Sequence, residues 1–166
     1  MAVGDIIYVK SALGKEGKRI KVFKLRTMHP DAEQRYYELK KSNGVDNLGK
    51  IVKDPRIIKG RERWRELWID ELPKLFNLLR GDISFVGICA RGEAEWEHLP
   101  LEHKQMALQY RPGLFPVHYS GNTRSYQEMI ELERRYLQEK QVHPLLTDIK
   151  YFARIMANII DGVRSR

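Results

Sequence analysis

The chain has 166 residues, 42% of them hydrophobic, and 30 Lys and Arg stand against 22 Asp and Glu, for a formal net charge of +8. Length and apolar content suit one domain, residues 1–166, with its own core, and exclude a disordered chain, a collagen or a disulfide scaffold. The single cysteine, Cys89, rules out an intramolecular disulfide and a multi-cysteine metal site, and no apolar run approaches the roughly 18 residues that span a bilayer.

The N-terminal residues are too polar and the stretch too short for a signal peptide. The positive charge is concentrated. Residues 1–28 hold seven basic residues against two acidic, and residues 50–65 hold the same ratio, while the remainder is close to neutral. Such a distribution points to anionic partners, namely phosphates, nucleic acid or acidic lipid, although most charge runs are solvated faces. There is no internal repeat, low-complexity tract or linker.

In chain order, the apolar run at 6–10, the Gly-flanked GKEGK turn and the alternating RIKVFKL at 19–25 predict a β-hairpin. In its second strand Ile20, Val22 and Phe23 or Leu25 oppose Lys21 and Lys24. DAEQRYYELKK at 31–41 predicts a polar helix, Ser42 to Gly49 a loop, and 60–79 an apolar helix interrupted by Pro73. A further helix over 100–110 stops at Arg111-Pro112-Gly113, and LFPVHY at 114–119 is extended. Ser125 and Glu128 have capping-box spacing, opening a helix to about Lys140. The chain closes on a helix whose apolar stripe includes Leu145, Leu146, Ile149, Phe152, Ile155 and Ile159. The fold class expected is α+β, mainly helical, with a small antiparallel hairpin near the N-terminus.

Nucleotide-binding, metalloprotease and hydrolase motifs are absent: GKEGK has the wrong spacing for a phosphate loop, and there is no GxGxxG, HExxH or GxSxG. The five histidines are scattered, without metal-ligand spacing, and read as polar or interface residues. Cys89 follows the apolar FVGI and reads as a buried inert thiol, with no basic neighbour in sequence. The segment that carries chemistry is 63–87. Asp70 and Glu71 lie side by side among Trp64, Leu67, Trp68, Leu72 and Leu75, and Pro73 follows. Carboxylates in an apolar stretch are costly unless paired, metal-bound or exposed. A bend at Pro73 could aim both into one cleft, with Arg65 holding Asp70 ionised. A solvated pair at a kink is the blander reading of the same residues.

The wider pattern is specific. KVFKLRTM, then DAE, KDPRI, IDELPKLFNLLRGDISFVG, RPG and TDIKYF, from about Gly14 to about Asn158, resembles the bacterial sugar transferases, the monotopic polyprenyl-phosphate phosphoglycosyl transferases. The resemblance implies transfer of a sugar-1-phosphate from a UDP-sugar to a polyprenyl phosphate, with release of UMP. It implies Asp70 as nucleophile, forming an aspartyl phosphosugar, and Glu71 as ligand to Mg²⁺. A carboxylate can form a reactive acyl phosphate, and a hard oxygen donor suits Mg²⁺ beside phosphates. Lys24, Arg26, Arg65, Arg124 and Asp148 fall on substrate-binding positions by motif match.

The resemblance also implies work at the cytoplasmic face of the bacterial inner membrane, with an anionic lipid surface as partner and no nucleic acid. Family members carry an N-terminal membrane helix, and this chain begins after that point. The family's VGPRP string reads Val-Gly-Ile-Cys-Ala at 86–90, without its arginine and prolines, and Arg91 follows one position late. The last helix, with Lys150 and Arg154 alongside its apolar stripe, suits either a lipid surface or the core. The alternative function is a non-catalytic relative that binds a membrane surface or a partner. A nucleic-acid module rests on charge alone, with no recognition motif to support it.

Overall fold

The computed structural model describes residues 6–44 and 51–160. Strands β1 (Ile7–Leu13) and β2 (Arg19–Leu25) form the expected antiparallel hairpin, in register from Ile7 opposite Leu25 to Leu13 opposite Arg19. The turn between them closes with a hydrogen bond from the Gly14 N–H to the Lys18 carbonyl, and Gly17 takes a positive φ of 73°. In β2, Val22 is fully buried and Lys21 is exposed. Lys24 shares the parity of Ile20 and Val22, so it rises on their face and not with Lys21, as period-two geometry requires.

Helix α1 (Tyr36–Asn43) is shorter than expected at its start and longer at its end: 31–35 are turns, and Ser42 and Asn43 belong to the helix. The rest of the loop expected there, 45–49, lies outside the described residues. The helix expected over 60–79 is two short helices, α2 (Glu62–Glu66) and α3 (Lys74–Arg80), separated by a 3-10 turn at Ile69–Glu71. The break occurs at Trp68, which adopts the left-handed conformation (φ 61°, ψ 15°), and not only at Pro73, which sits at the start of α3 where its missing N–H is harmless.

The apolar FVG run is a strand. β3 (Ser84–Gly87) pairs in parallel with β4 (Gly113–Pro116), in a second two-stranded sheet not foreseen from the sequence. Two glycines permit the pairing: a Cβ on Gly87 would lie 2.7 Å from the Gly113 nitrogen and 2.9 Å from the Arg111 carbonyl oxygen. Helices α4 (Glu93–Glu97) and α5 (Leu101–Ala107) join the two strands, and α5 stops before Arg111-Pro112-Gly113 as expected. The sequence reading had no element for α4.

The two longest helices are α6 (Tyr126–Val142) and α7 (Pro144–Ile160). The Ser125 side chain caps α6 by accepting from the Glu128 N–H. The Glu128 carboxylate accepts from the Arg124 N–H, not from Ser125, so the reciprocal half of the box is displaced by one residue. The main core lies between β3, α4, α5, α6 and α7, around Val86, Trp96, Val117, Tyr136, Leu137 and Tyr151. A smaller core of Ala12, Val22 and Ala90 fastens the hairpin.

In α7 only part of the expected stripe faces inward. Thr147, Tyr151 and Ile155 are buried, whereas Leu145, Leu146, Ile149 and Ile160 are exposed. At 100° per residue, Leu145, Ile149 and Ile160 lie on the side opposite the buried row. Among the described residues no helix is long and apolar enough to cross a membrane.

Candidate active site

The left-handed Trp68 sets the dyad's position. A non-glycine residue in that conformation costs on the order of 1–2 kcal/mol, and here tertiary packing supplies it. The Trp68 indole stacks on Phe115 of β4 with ring centroids 5.8 Å apart and meets Tyr119 at 4.6 Å. The chain turns there, makes the Ile69–Glu71 turn and re-enters a helix at Pro73. Asp70 and Glu71 therefore do not lie on one continuous helix, as expected; they occupy the turn between two, with Asp70 buried and Glu71 half-buried.

Two ammonium groups converge on Glu71. Lys24 Nζ of β2 donates to Oε1 at 2.8 Å, and Lys74 Nζ of α3 pairs with Oε2 at 2.5 Å. Burial by itself would raise the Glu71 carboxyl, but the two lysines outweigh it and hold it at about 2. Burial pulls the Lys24 ammonium down, and Glu71, with Cys89 and Asp70 adding to it, pushes it above its ordinary value. Lys74 goes the other way: burial and the repulsion of Lys24 exceed the pull of Glu71, and its ammonium is lowered.

Asn77, fully buried in α3, fixes β2 against this turn. Its Oδ1 accepts from the Phe23 N–H at 3.0 Å, and its Nδ2 donates to the Lys21 carbonyl at 2.6 Å and to Asp82 at 3.0 Å. Those bonds hold the backbone one residue from Lys24. Lys74 and Asn77 were not singled out from the sequence. The signal was their spacing, three and six residues after Glu71, on a helix whose Leu75, Phe76 and Leu79 are exposed: the polar residues, not the apolar ones, face inward.

Of the residues predicted for the site, the structure thus brings Lys24, Asp70 and Glu71 together. Arg26 lies over the Tyr8 ring at 5.6 Å, and its carbonyl accepts from the Arg61 guanidinium. Arg65 donates to the Thr27 hydroxyl at 3.2 Å, which ties α2 to the chain leaving β2. Arg124 is exposed in the loop before α6. Asp148 is in α7, where its carboxylate accepts from Lys140 at 2.8 Å and from the Tyr136 hydroxyl at 2.7 Å.

Arg91 does not stand in for the arginine missing from the 86–90 string. It turns inward and makes a two-pronged pair with Glu133 of α6, at 2.8 and 2.9 Å, with both side chains buried. Glu133 also lies 3.3 Å from His103 Nε2 and 4.0 Å from His118 Nδ1. His103 and His118, polar residues by the sequence, thus both face the buried Glu133 carboxylate. Cys89 is half-buried, less enclosed than expected, and its backbone N–H faces the Glu133 carboxylate at 3.5 Å. Among the described residues no group of three or more His, Cys, Asp and Glu is placed to hold a metal ion.

The site is a carboxylate pair with two ammonium groups gathered on one of its members. The model of the bacterial sugar transferase family fits residues 1–162, and the chain belongs to that family. It is 29% identical to the galactosyl transferase CpsE of Streptococcus agalactiae, over 98% of this chain and 36% of that protein. It is 33% identical to the exopolysaccharide production protein ExoY of Sinorhizobium fredii, over 81% of this chain and 62% of that protein. It is 28% identical to the UDP-glucose:undecaprenyl-phosphate glucose-1-phosphate transferase of Caulobacter vibrioides, over 95% of this chain and 57% of that protein. The chain spans less than two thirds of the length of each of these relatives.

Proposed function

We propose that the protein transfers a sugar-1-phosphate from a UDP-sugar to a polyprenyl phosphate. The observation that carries this reading is the Asp70–Glu71 pair with Lys24 and Lys74 gathered on it, in a chain of this family. An Asp70 carboxylate oxygen attacks the sugar-linked phosphorus, the bond from that phosphorus to the bridging oxygen breaks, and UMP leaves with the electron pair. A phosphate oxygen of the polyprenyl phosphate then attacks the same phosphorus, and the Asp70 carboxylate is released. No net proton transfer is needed, which suits an aspartate beside lysines.

The residues fit Mg²⁺ in type, since that ion commonly takes one or two carboxylates with substrate phosphates. Glu71 would hold it, and when bound it would offset charge on the diphosphate oxygens. Lys24 orients the donor, and Arg26, Arg65, Arg124 and Asp148 are further substrate contacts on this reading. The exposed Leu72, Leu75, Phe76 and Leu79 next to the dyad suit a substrate with a prenyl chain, and the outward face of α7 suits an anionic lipid surface. On this reading the protein works at the cytoplasmic face of the bacterial inner membrane, and both features support its contact with lipid.

The test is UMP release from a panel of UDP-sugars with Mg²⁺ and undecaprenyl phosphate in detergent. UMP that requires lipid phosphate and metal, and is lost in Asp70→Asn with an unchanged circular dichroism spectrum, is the expected result. Turnover in Asp70→Asn refutes the nucleophile. A second reading, a non-catalytic membrane-surface or partner-binding relative, draws on the altered Ile88-Cys89-Ala90 segment with Arg91 committed to Glu133. Absence of UMP from every donor favours it.

A further inference from the structure

Lys74 is an unusual residue to find in a helix turned toward the interior. Its side chain is 3% exposed, and a buried ammonium is expensive unless its charge is used. One lysine would neutralise Glu71, and Lys24 already does so from the other oxygen. The two ammonium groups sit on the two oxygens of one carboxylate, like charges that repel each other. They are nevertheless held on a single carboxylate next to Asp70, by α3 on one side and by β2, pinned through Asn77, on the other.

We infer that Lys74 is a second phosphate-binding cation of this site, contacting with Lys24 the phosphoryl group that Asp70 attacks. The inference rests on the donor reading given above. A phosphorus within bonding reach of Asp70 has Glu71 as the next residue, and the two ammonium groups held on that carboxylate are the cations gathered there for its unreacting oxygens. Glu71 gathers them before the phosphate arrives, which limits their rotamer freedom and the ordering cost of binding. Lys74 opens α3, three residues after Glu71, and its ammonium is held by the Glu71 carboxylate. The segment at 86–90, Val-Gly-Ile-Cys-Ala, carries no cation, and Arg91 after it is occupied by Glu133, so Lys74 supplies a positive charge that this segment does not.

The competing explanation is that Lys74 only holds Glu71, and a two-step series separates them. Affinity for metal-free UDP is measured by calorimetry, with EDTA present, on the wild-type chain, Glu71→Gln and Glu71→Gln/Lys74→Met. The double variant removes the carboxylate charge and the Lys74 ammonium together, so the net charge of the site is unchanged and Lys24, whose side chain is 27% exposed, is the ammonium left there; circular dichroism and thermal melting check the fold. If Lys74 contacts phosphate, the double variant binds UDP about tenfold or more weakly than Glu71→Gln, the loss expected for one charge-assisted hydrogen bond. If Lys74 acts only through Glu71, the two variants bind alike, and the inference is wrong while the donor reading stands. Failure of the wild-type chain to bind metal-free UDP overturns this inference, and failure to bind UDP with Mg²⁺ added overturns the donor reading as well.

Discussion

Replacing Glu133 with alanine removes the carboxylate that both Arg91 nitrogens address, at 2.8 and 2.9 Å. The Glu133 side chain is 0% exposed and that of Arg91 4%, so water cannot take over. Deleting one partner of a buried ion pair costs about 3–5 kcal/mol, because the other charge is left uncompensated. The acceptor facing the Cys89 N–H at 3.5 Å is lost as well. The expected loss is about 4 kcal/mol, measured by urea unfolding at pH 7. In a domain of this size each kcal/mol corresponds to roughly 2–4 °C of melting temperature, so Tm falls by roughly 8–16 °C.

Arg91→Met/Glu133→Leu, which removes both charges and keeps the volume, recovers most of that loss. The pair also has a pH signature. Burial would raise the Glu133 carboxyl, but Arg91 and His103 overcome it and hold it at about 2, well below its ordinary 4.5. A carboxyl lowered in the folded state contributes its full stability above its unfolded value and loses it as the pH falls. The wild-type advantage over Glu133→Ala should be complete above about pH 4.5 and shrink between there and about pH 2. A loss below 1 kcal/mol at pH 7, or a double variant as unstable as Glu133→Ala, would refute the idea that this cluster holds the 88–92 segment.

Three further outcomes are expected. Asn77→Ala leaves the Phe23 N–H and the Lys21 carbonyl without their side-chain partner and should cost about 2–3 kcal/mol in urea unfolding; Asn77→Ala within 0.5 kcal/mol of wild type would show that β2 is held by other means. Gly87→Ala drives a methyl against the backbone of Gly113 and Arg111, which cannot yield, so the β3–β4 pairing should be lost, at the upper end of the about 1–3 kcal/mol typical of overpacking; a wild-type melting curve would contradict the pairing. Leu145→Ser/Leu146→Ser/Ile149→Ser alters exposed side chains only, so it should leave stability unchanged and reduce co-sedimentation with vesicles containing anionic lipid severalfold; equal sedimentation removes α7 from the lipid surface.

Much of this architecture was legible in the chain itself. Alternation across a Gly-rich turn specified the β1–β2 hairpin, because both signals are local. Ser125 announced α6, because a cap acts within one helical turn. The dyad was legible as a pair of carboxylates in an apolar segment, and the long DELPKLFNLLRGDISFVG string marked the family. None of these depends on contacts distant in sequence.

What the tertiary structure alone decided depends on such contacts. Period 3.6 across 60–79 predicts one helix, yet Trp68 leaves it because Phe115 and Tyr119, some fifty residues on, offer its indole a place that compensates the backbone strain. The β3–β4 pair is parallel and joined through two helices, so no hairpin signal exists to find it. Lys24 and Lys74 lie fifty residues apart, and only the packing of β2 on α3 sets both on Glu71. Arg91 is likewise set by a distant partner, Glu133 of α6, forty-two residues on. Local patterns record which backbone a segment favours, whereas the charge balance of a site is the sum of groups that folding brings from separate parts of the chain.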